Sequence, residues 1–257
     1  MQTRFILLLA AALLCASTMS AQTKPQDKMQ KPQKFSRKVT KTIRAEYLIS
    51  FPKDYDAKSK KGFPLIMFLH GVGERGNDVW RANIHGPSKY AAQNPDFPFI
   101  LVTPLCPGED VWSNEVLTTL LDEMIKKHNV DEKRIYLTGL SMGGYGAWNL
   151  GLTHAKRFAA LAPVCGGGER IEILLAARGY AGPVKINDLR SLPIWVFHGA
   201  KDTVVPLEES ERMVRALKEA KCENVKLTVY PEAQHDAWTE TYNNPKLYEW
   251  FLQQKRK

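Results

Sequence analysis

Ser141 lies in GLSMGGYGAW, residues 139 to 148, with Gly139, Gly143, Gly144 and Gly146 within five positions of it. The letters fit G-x-S-x-G, and they fall between the apolar run RIYLTGL and the helical pattern AWNLGL. In a strand–turn–helix context such a turn lifts the serine hydroxyl above the edge of a sheet and holds its backbone in a strained region. Cβ atoms at Gly139 and Gly143 would collide with neighbouring elements, so glycine is required there. The N–H groups at the start of the following helix favour negative charge developing beside the serine. The chemistry this suits is nucleophilic attack on a carbonyl; the alternative is a structural glycine turn with an incidental serine.

A serine hydroxyl is a weak nucleophile until a base takes its proton. Of six histidines, two are well placed. His235 follows a strand pattern and precedes the closing helix, where its imidazole can swing over Ser141. His198 ends the strand pattern IWVFHG and suits a buried, structural position. The imidazole in turn needs an acid to fix its tautomer. Asp202, in HGAKDTVVP, also follows a strand, which gives the chain order Ser141, Asp202, His235. Asp188 and Glu208 lie away from strand ends, and Asp236 adjoins His235 and would point elsewhere.

The elements that must carry these residues can be read from hydrophobic patterning. IRAEYLISF reads as an early strand or hairpin arm. PLIMFLH (64–70) and FPFILVTPL (97–105) are continuous apolar runs of the kind buried on both faces of a sheet. SNEVLTTLLDEMIKKH (113–128) is a helix capped by Ser113 or Asn114, with one apolar stripe through Val116, Leu117, Leu120, Leu121, Met124 and Ile125. Asp131 to Arg134 read as a turn into the next strand. FAALAPVC, IWVFHG and VKLTVYP are further strands, Pro206 to Ala220 is helical with the proline near its first position, and PKLYEWFLQQ closes the chain as a helix. Alternation of buried-type strands with helices predicts the α/β class, a mostly parallel sheet with helices on both faces. Ligands bind such sheets at the carboxyl ends of the strands, where this chain has HGVGERG, GLSMGG, HGAKD and PEAQHD.

These motifs, with YLISFPKDYD, FAALAPVCGG and HDAWTETYNNPKLYEWFL in the same order, resemble the α/β-hydrolase superfamily over roughly residues 45 to 252. Within it the chain is similar to secreted esterases and predicted peptidases related to dienelactone hydrolases and carboxylesterases. Dienelactone hydrolases proper use a cysteine nucleophile, so Ser141 places the resemblance with the serine esterases. The resemblance implies an oxyanion hole from the backbone N–H groups of Val72 and Met142, no cofactor and no metal. His70 and Gly71 would shape the oxyanion loop, and Glu74 and Arg75 would pair to brace it. Trp112 and Trp238 would stack on an acyl group or sugar ring, or else pack the loops. Gly168 to Pro193, where many relatives insert a lid, holds one helical segment, ERIEILLAARGY, and a short loop, so no sizeable lid is expected. The implied activity is hydrolysis of carboxylic esters through an acyl-enzyme, with acetyl or feruloyl esters on glycans as candidate substrates. A peptidase of the prolyl-oligopeptidase-like group is the alternative, and a non-catalytic module for anionic polymers is a third reading.

Charge and composition bound the partners. The 257-residue chain has a formal net charge of +9. Residues 22 to 45 contain eight Lys or Arg and one acid, so they hold most of that charge while the body is close to neutral. Nucleic acid is therefore not an expected partner, and the basic segment reads as a solvated tether or an adsorption patch. MQTR followed by FILLLAAALLCA and STMSAQ has the layout of a secretory signal, and no later segment is apolar enough for a transmembrane span. The expected organisation is a signal at residues 1–21, a basic flexible linker at 22–40 and one hydrolase domain at 41–257, exported to the periplasm or the medium. Removing the signal would leave three cysteines, Cys106, Cys165 and Cys222, so at least one is free or paired between chains.

Overall fold

The computed structural model describes residues 31–256; the signal segment and the first part of the linker lie outside the described residues. The chain divides between Lys41 and Thr42. Residues 31–41 carry no helix or strand and are exposed. The second unit is built on a seven-stranded sheet in the order β1-β3-β2-β4-β5-β6-β7. Its strands are β1 (Tyr47–Ser50), β2 (Phe63–Leu69), β3 (Ile100–Pro104), β4 (Val130–Leu140), β5 (Ala160–Val164), β6 (Ile194–Gly199) and β7 (Val225–Tyr230). β1 runs antiparallel to β3, and every other pairing is parallel. The parallel sheet expected from the apolar runs is present.

Among the described residues, eight α-helices accompany the strands: α1 (Pro87–Gln93), α2 (Asn114–Lys127), α3 (Met142–Thr153), α4 (Arg170–Ala177), α5 (Ile186–Ser191), α6 (Glu208–Glu219), α7 (Trp238–Asn243) and α8 (Pro245–Gln253). The period-2 alternation of β2 sorts its side chains between two cores. Leu65, Met67 and Leu69 pack with Leu117 and Met124 of α2, Trp148 of α3 and Met213 of α6. Ile66 and Phe68 face Tyr242 of α7 and Leu247 and Phe251 of α8. β2 is thus covered on both sides, and Leu65 to Leu69 are fully buried. A backbone in that position finds its partners only in neighbouring strands, and β3 and β4 supply them.

Three local expectations need correction. Asp131 to Arg134 belong to β4 rather than to a turn before it. Phe63 pairs with Val130 but Leu65 with Ile135, so β4 carries extra residues in a bulge. Asp131 stabilises it by accepting the Lys133 N–H at 3.0 Å and the Arg134 guanidinium at 2.7 Å, the short-range bonding that made the stretch read as a turn. Pro206 precedes the N-cap Leu207, so α6 begins two residues later than the proline suggests. The stretch from Gly168 to Pro193 contains two short helices, not one. α5 escapes sequence reading because only Leu189 of its six residues is buried, leaving no stripe.

One backbone approach positions the site. A Cβ on Gly143 would lie 1.9 Å from the Leu69 carbonyl oxygen and 2.6 Å from that of His70. The first turn of α3 therefore presses directly on the carboxyl end of β2, a contact only glycine permits. Gly143→Ala is expected to destabilise the protein by about 1–3 kcal/mol through overpacking against backbone that cannot yield. Urea unfolding measures this; an unchanged midpoint would show that α3 and β2 are not in contact there.

Candidate active site

Ser141 directly follows β4 and is the N-cap of α3, with φ 52° and ψ −118°. This positive φ is uncommon for a side chain other than glycine and stores strain. Two backbone bonds hold it: the Ser141 N–H donates to the Val164 carbonyl at 3.0 Å, and the Ser141 carbonyl accepts the Tyr145 N–H at 3.0 Å. His235, in the loop after β7, lies with Nε2 2.9 Å from Ser141 Oγ. Its Nδ1–H donates to Asp202 Oδ2 at 2.8 Å, which leaves Nε2 as the acceptor facing the serine. Asp202 sits in the loop after β6 and is buried. Its other oxygen, Oδ1, accepts the N–H groups of Val204 and Val205, each at 2.9 Å. The structure therefore brings Ser141, His235 and Asp202, separated by up to 94 residues in sequence, into one hydrogen-bonded line.

Val72 and Met142 lie on the side of Ser141 formed by the β2 loop and α3. Val72 opens a 3-10 turn, Val72–Glu74, and Met142 opens α3. As first residues, neither N–H has an acceptor within its own helix. The loop carrying Val72 is fastened from below. His70 is fully buried, and its Nε2 accepts the Cys106 N–H at 3.0 Å. Nδ1 therefore carries the ring proton and donates to the Gly71 carbonyl at 2.7 Å. Burial holds the His70 pKa below the ordinary histidine value. Glu74 and Arg75 do not pair. Glu74 accepts the Gly71 N–H at 2.9 Å, whereas Arg75 reaches the Val72 carbonyl at 3.3 Å and the Asp110 carbonyl at 2.9 Å. The loop is braced, but by side chain to backbone bonds at two separate points.

Trp112 is only 9% exposed, and its indole N–H is spent on the His70 carbonyl at 3.1 Å. It is a fixed wall rather than a mobile platform, and its ring packs edge-on to His70 at 4.8 Å. Trp238 is half-buried and meets the His235 ring at 5.2 Å, nearly perpendicular. Beyond it stands His85, 5.6 Å from Trp238 between ring centres, with Nε2 3.8 Å from Glu74 Oε1. Sequence reading passed over His85; its one signal was Gly86, which has φ 89° and a site for Cβ filled by Phe68. His198 is buried, as its strand-end position suggested. Its Nε2–H donates to the Val205 carbonyl at 2.8 Å and lies 3.3 Å from Asp202 Oδ2, while Nδ1 is 2.7 Å from Ser210 Oγ. The three described cysteines are free and buried, and burial raises the pKa of each thiol. A cavity of about 460 Å³ opens beside Val72 and Met142, with Val111, Trp112 and Tyr145 among its walls.

Comparison with known proteins gives this geometry a context. A family model described as phospholipase/carboxylesterase matches residues 112–246. The chain is 27% identical over 159 residues to a bifunctional acetylxylan esterase/xylanase of Neocallimastix patriciarum, covering 59% of this chain and 21% of the relative. It is 28% identical over 171 residues to a probable feruloyl esterase C of Aspergillus terreus, covering 63% of this chain and 57% of the relative. The chain thus spans about a fifth of the first curated relative and somewhat more than half of the second. Among solved structures, a thermostable esterase superposes with a TM-score of 0.65 at 30% identity, over 82% of this chain and 59% of the other.

The neutral state of His70 has a measurable consequence. The unfolded chain takes up a proton at this histidine below about pH 6.5, while the native state resists it. Stability from this source is therefore complete above that pH and is lost as the pH falls below it. His128 and His154 are displaced in the same direction by burial. In urea titrations between about pH 7 and pH 5, wild type should lose stability more steeply than His70→Gln, which keeps an acceptor for Cys106. Parallel curves would refute the buried neutral imidazole.

Proposed function

The chain belongs to the phospholipase/carboxylesterase family of α/β-hydrolases, and from that membership we propose that it hydrolyses carboxylic esters with Ser141 as nucleophile, His235 as base and Asp202 as the orienting acid. The observation that carries this reading is the line of two short hydrogen bonds, 2.9 Å and 2.8 Å, ending on a serine held at positive φ. Ser141 Oγ attacks the ester carbonyl carbon as its proton passes to His235 Nε2. Asp202 Oδ2 stabilises the imidazolium so formed, and the N–H groups of Val72 and Met142 receive the oxyanion. Collapse of the tetrahedral intermediate breaks the bond to the alcohol, which leaves with the proton from Nε2. Water then attacks the acyl carbon as its proton passes to His235 Nε2, and the second tetrahedral intermediate collapses by breaking the bond to Ser141 Oγ, which regains that proton as the free acid leaves.

The acetylxylan and feruloyl esterase relatives support acyl esters on plant glycans as the substrate class. We extend the proposal to an exported enzyme with a signal at residues 1–21 and a basic linker at 22–40 ahead of the hydrolase domain. Among the described residues no helix is long and apolar enough to cross a membrane.

Ser141→Ala and His235→Ala should each abolish turnover of a p-nitrophenyl ester while leaving circular dichroism and urea midpoints near wild type. The double variant should lose little more than either single one, because the residues act as a unit. Wild type should be labelled by a fluorophosphonate probe and Ser141→Ala should not. The ester should also be cleaved much faster than the p-nitroanilide of the same acyl group, since an amine needs a well-aligned proton to leave. Equal rates would replace the esterase reading with a peptidase one, and turnover by Ser141→Ala would discard the mechanism.

A further inference from the structure

The cavity beside Val72 and Met142 contains no residue of the proton relay but shares its walls with both residues of the proposed oxyanion site. In the tetrahedral intermediate the carbonyl carbon carries four groups: Ser141 Oγ, the oxyanion, the departing alcohol and the acyl substituent. The alcohol must lie where His235 Nε2 can protonate it. Trp238 and then His85 pack outward from His235, and neither lines the cavity, which adjoins Ser141 through its chain neighbour Met142. Val72 and Met142, the two residues proposed to receive the oxyanion, both line it. The cavity therefore lies beside the oxyanion site and away from the residues along the alcohol's path, open to the acyl substituent.

Resting on the esterase reading, we propose that this cavity is the acyl pocket, that it takes a planar aromatic acyl group, and that Val111 and Tyr145 determine that specificity. Its floor is unusually fixed. A Cβ on Gly146 would lie 2.8 Å from the Trp112 ring, so glycine lets the indole lie flush against α3 while its N–H stays committed to the His70 carbonyl. Tyr145 stands next to Gly146 on α3, and Val111 stands next to Trp112 on the facing loop. Val72, Val111 and Tyr145 are 53%, 69% and 38% exposed. Three large apolar side chains left open around one small cavity mark a surface that a ligand covers. An acetyl group would leave these walls wet. A ring laid against Trp112 and Tyr145 would cover them, with the geometry that aromatic pairs favour. Arg75 adds a cation at the rim, held there by the Val72 and Asp110 carbonyls, where ring faces and ring oxygens can meet it.

The test compares kcat/KM for the p-nitrophenyl esters of acetic, octanoic and ferulic acids, which share one leaving group. The feruloyl ester should exceed the acetyl ester by about tenfold or more, the range that pocket contacts supply. Val111→Trp, an exposed substitution that fills the pocket without touching the core, should lower the feruloyl-to-acetyl ratio, and Tyr145→Ala should lower it by removing the aromatic wall. Varying the alcohol at constant acyl group should leave the Val111→Trp effect unchanged. Octanoyl preferred to feruloyl, equal wild-type rates for acetyl and feruloyl, or a ratio insensitive to both variants would overturn the acyl-pocket assignment alone, provided that acetate is hydrolysed and Ser141 takes the fluorophosphonate label. Absence of both label and acetate turnover would overturn the esterase reading and the pocket with it.

Discussion

The contact between the Gly143 backbone and the carbonyls of Leu69 and His70 is the constraint on which the site depends. It brings the start of α3 against the end of β2 at a distance that excludes every side chain. Two consequences follow together. Ser141, two residues earlier, enters the helix at φ 52°. The loop leaving β2 is delivered alongside α3, so that Val72 and Met142 line one cavity. A longer separation would draw those two residues apart.

Around this contact the buried polar groups are disposed as supports. His70, His198 and Asp202 are all buried where an unmade hydrogen bond would cost on the order of 1–3 kcal/mol. Each is therefore bonded at both ends, and most of the partners are backbone groups: Gly71 and Cys106 for His70, Val205 for His198, Val204 and Val205 for Asp202. Side chains fix loops, and the loops in turn fix the side chains that face the cleft. Deeper in the sheet the same economy appears at Thr138, whose hydroxyl donates to the Ala162 carbonyl at 2.5 Å and accepts from the Tyr242 hydroxyl at 2.9 Å, tying β4 to α7.

Much of this was legible in the sequence because the signals were periodic or compositional. Leu65 to Leu69 read as a strand buried on both faces, and the glycines at 139 and 143 declared a close approach between neighbouring elements. The order Ser141, Asp202, His235, each after a strand, named the residues that lie within hydrogen-bonding reach. What escaped were features set by tertiary partners. Asp131 reads as a turn because its short-range bonds are turn-like, yet pairing with β2 draws the stretch into a strand. α5 is a helix whose single buried residue gives no stripe. Trp112 is aromatic at a strand end in either role, and only the His70 carbonyl decides that it is a wall. His85 lies 150 residues from His235 in sequence, and no spacing rule links them.

One oxygen of the Asp202 carboxylate, Oδ1, is held by the backbone N–H groups of Val204 and Val205, while Oδ2 faces His235. Every amino acid but proline carries that donor. The letters at these two positions can therefore drift through evolution while the acid stays in place, and Val204, with its side chain in solvent, is the freer of the two. A motif written as fixed letters would lose distant homologues here, whereas a search that forbids only proline would keep them.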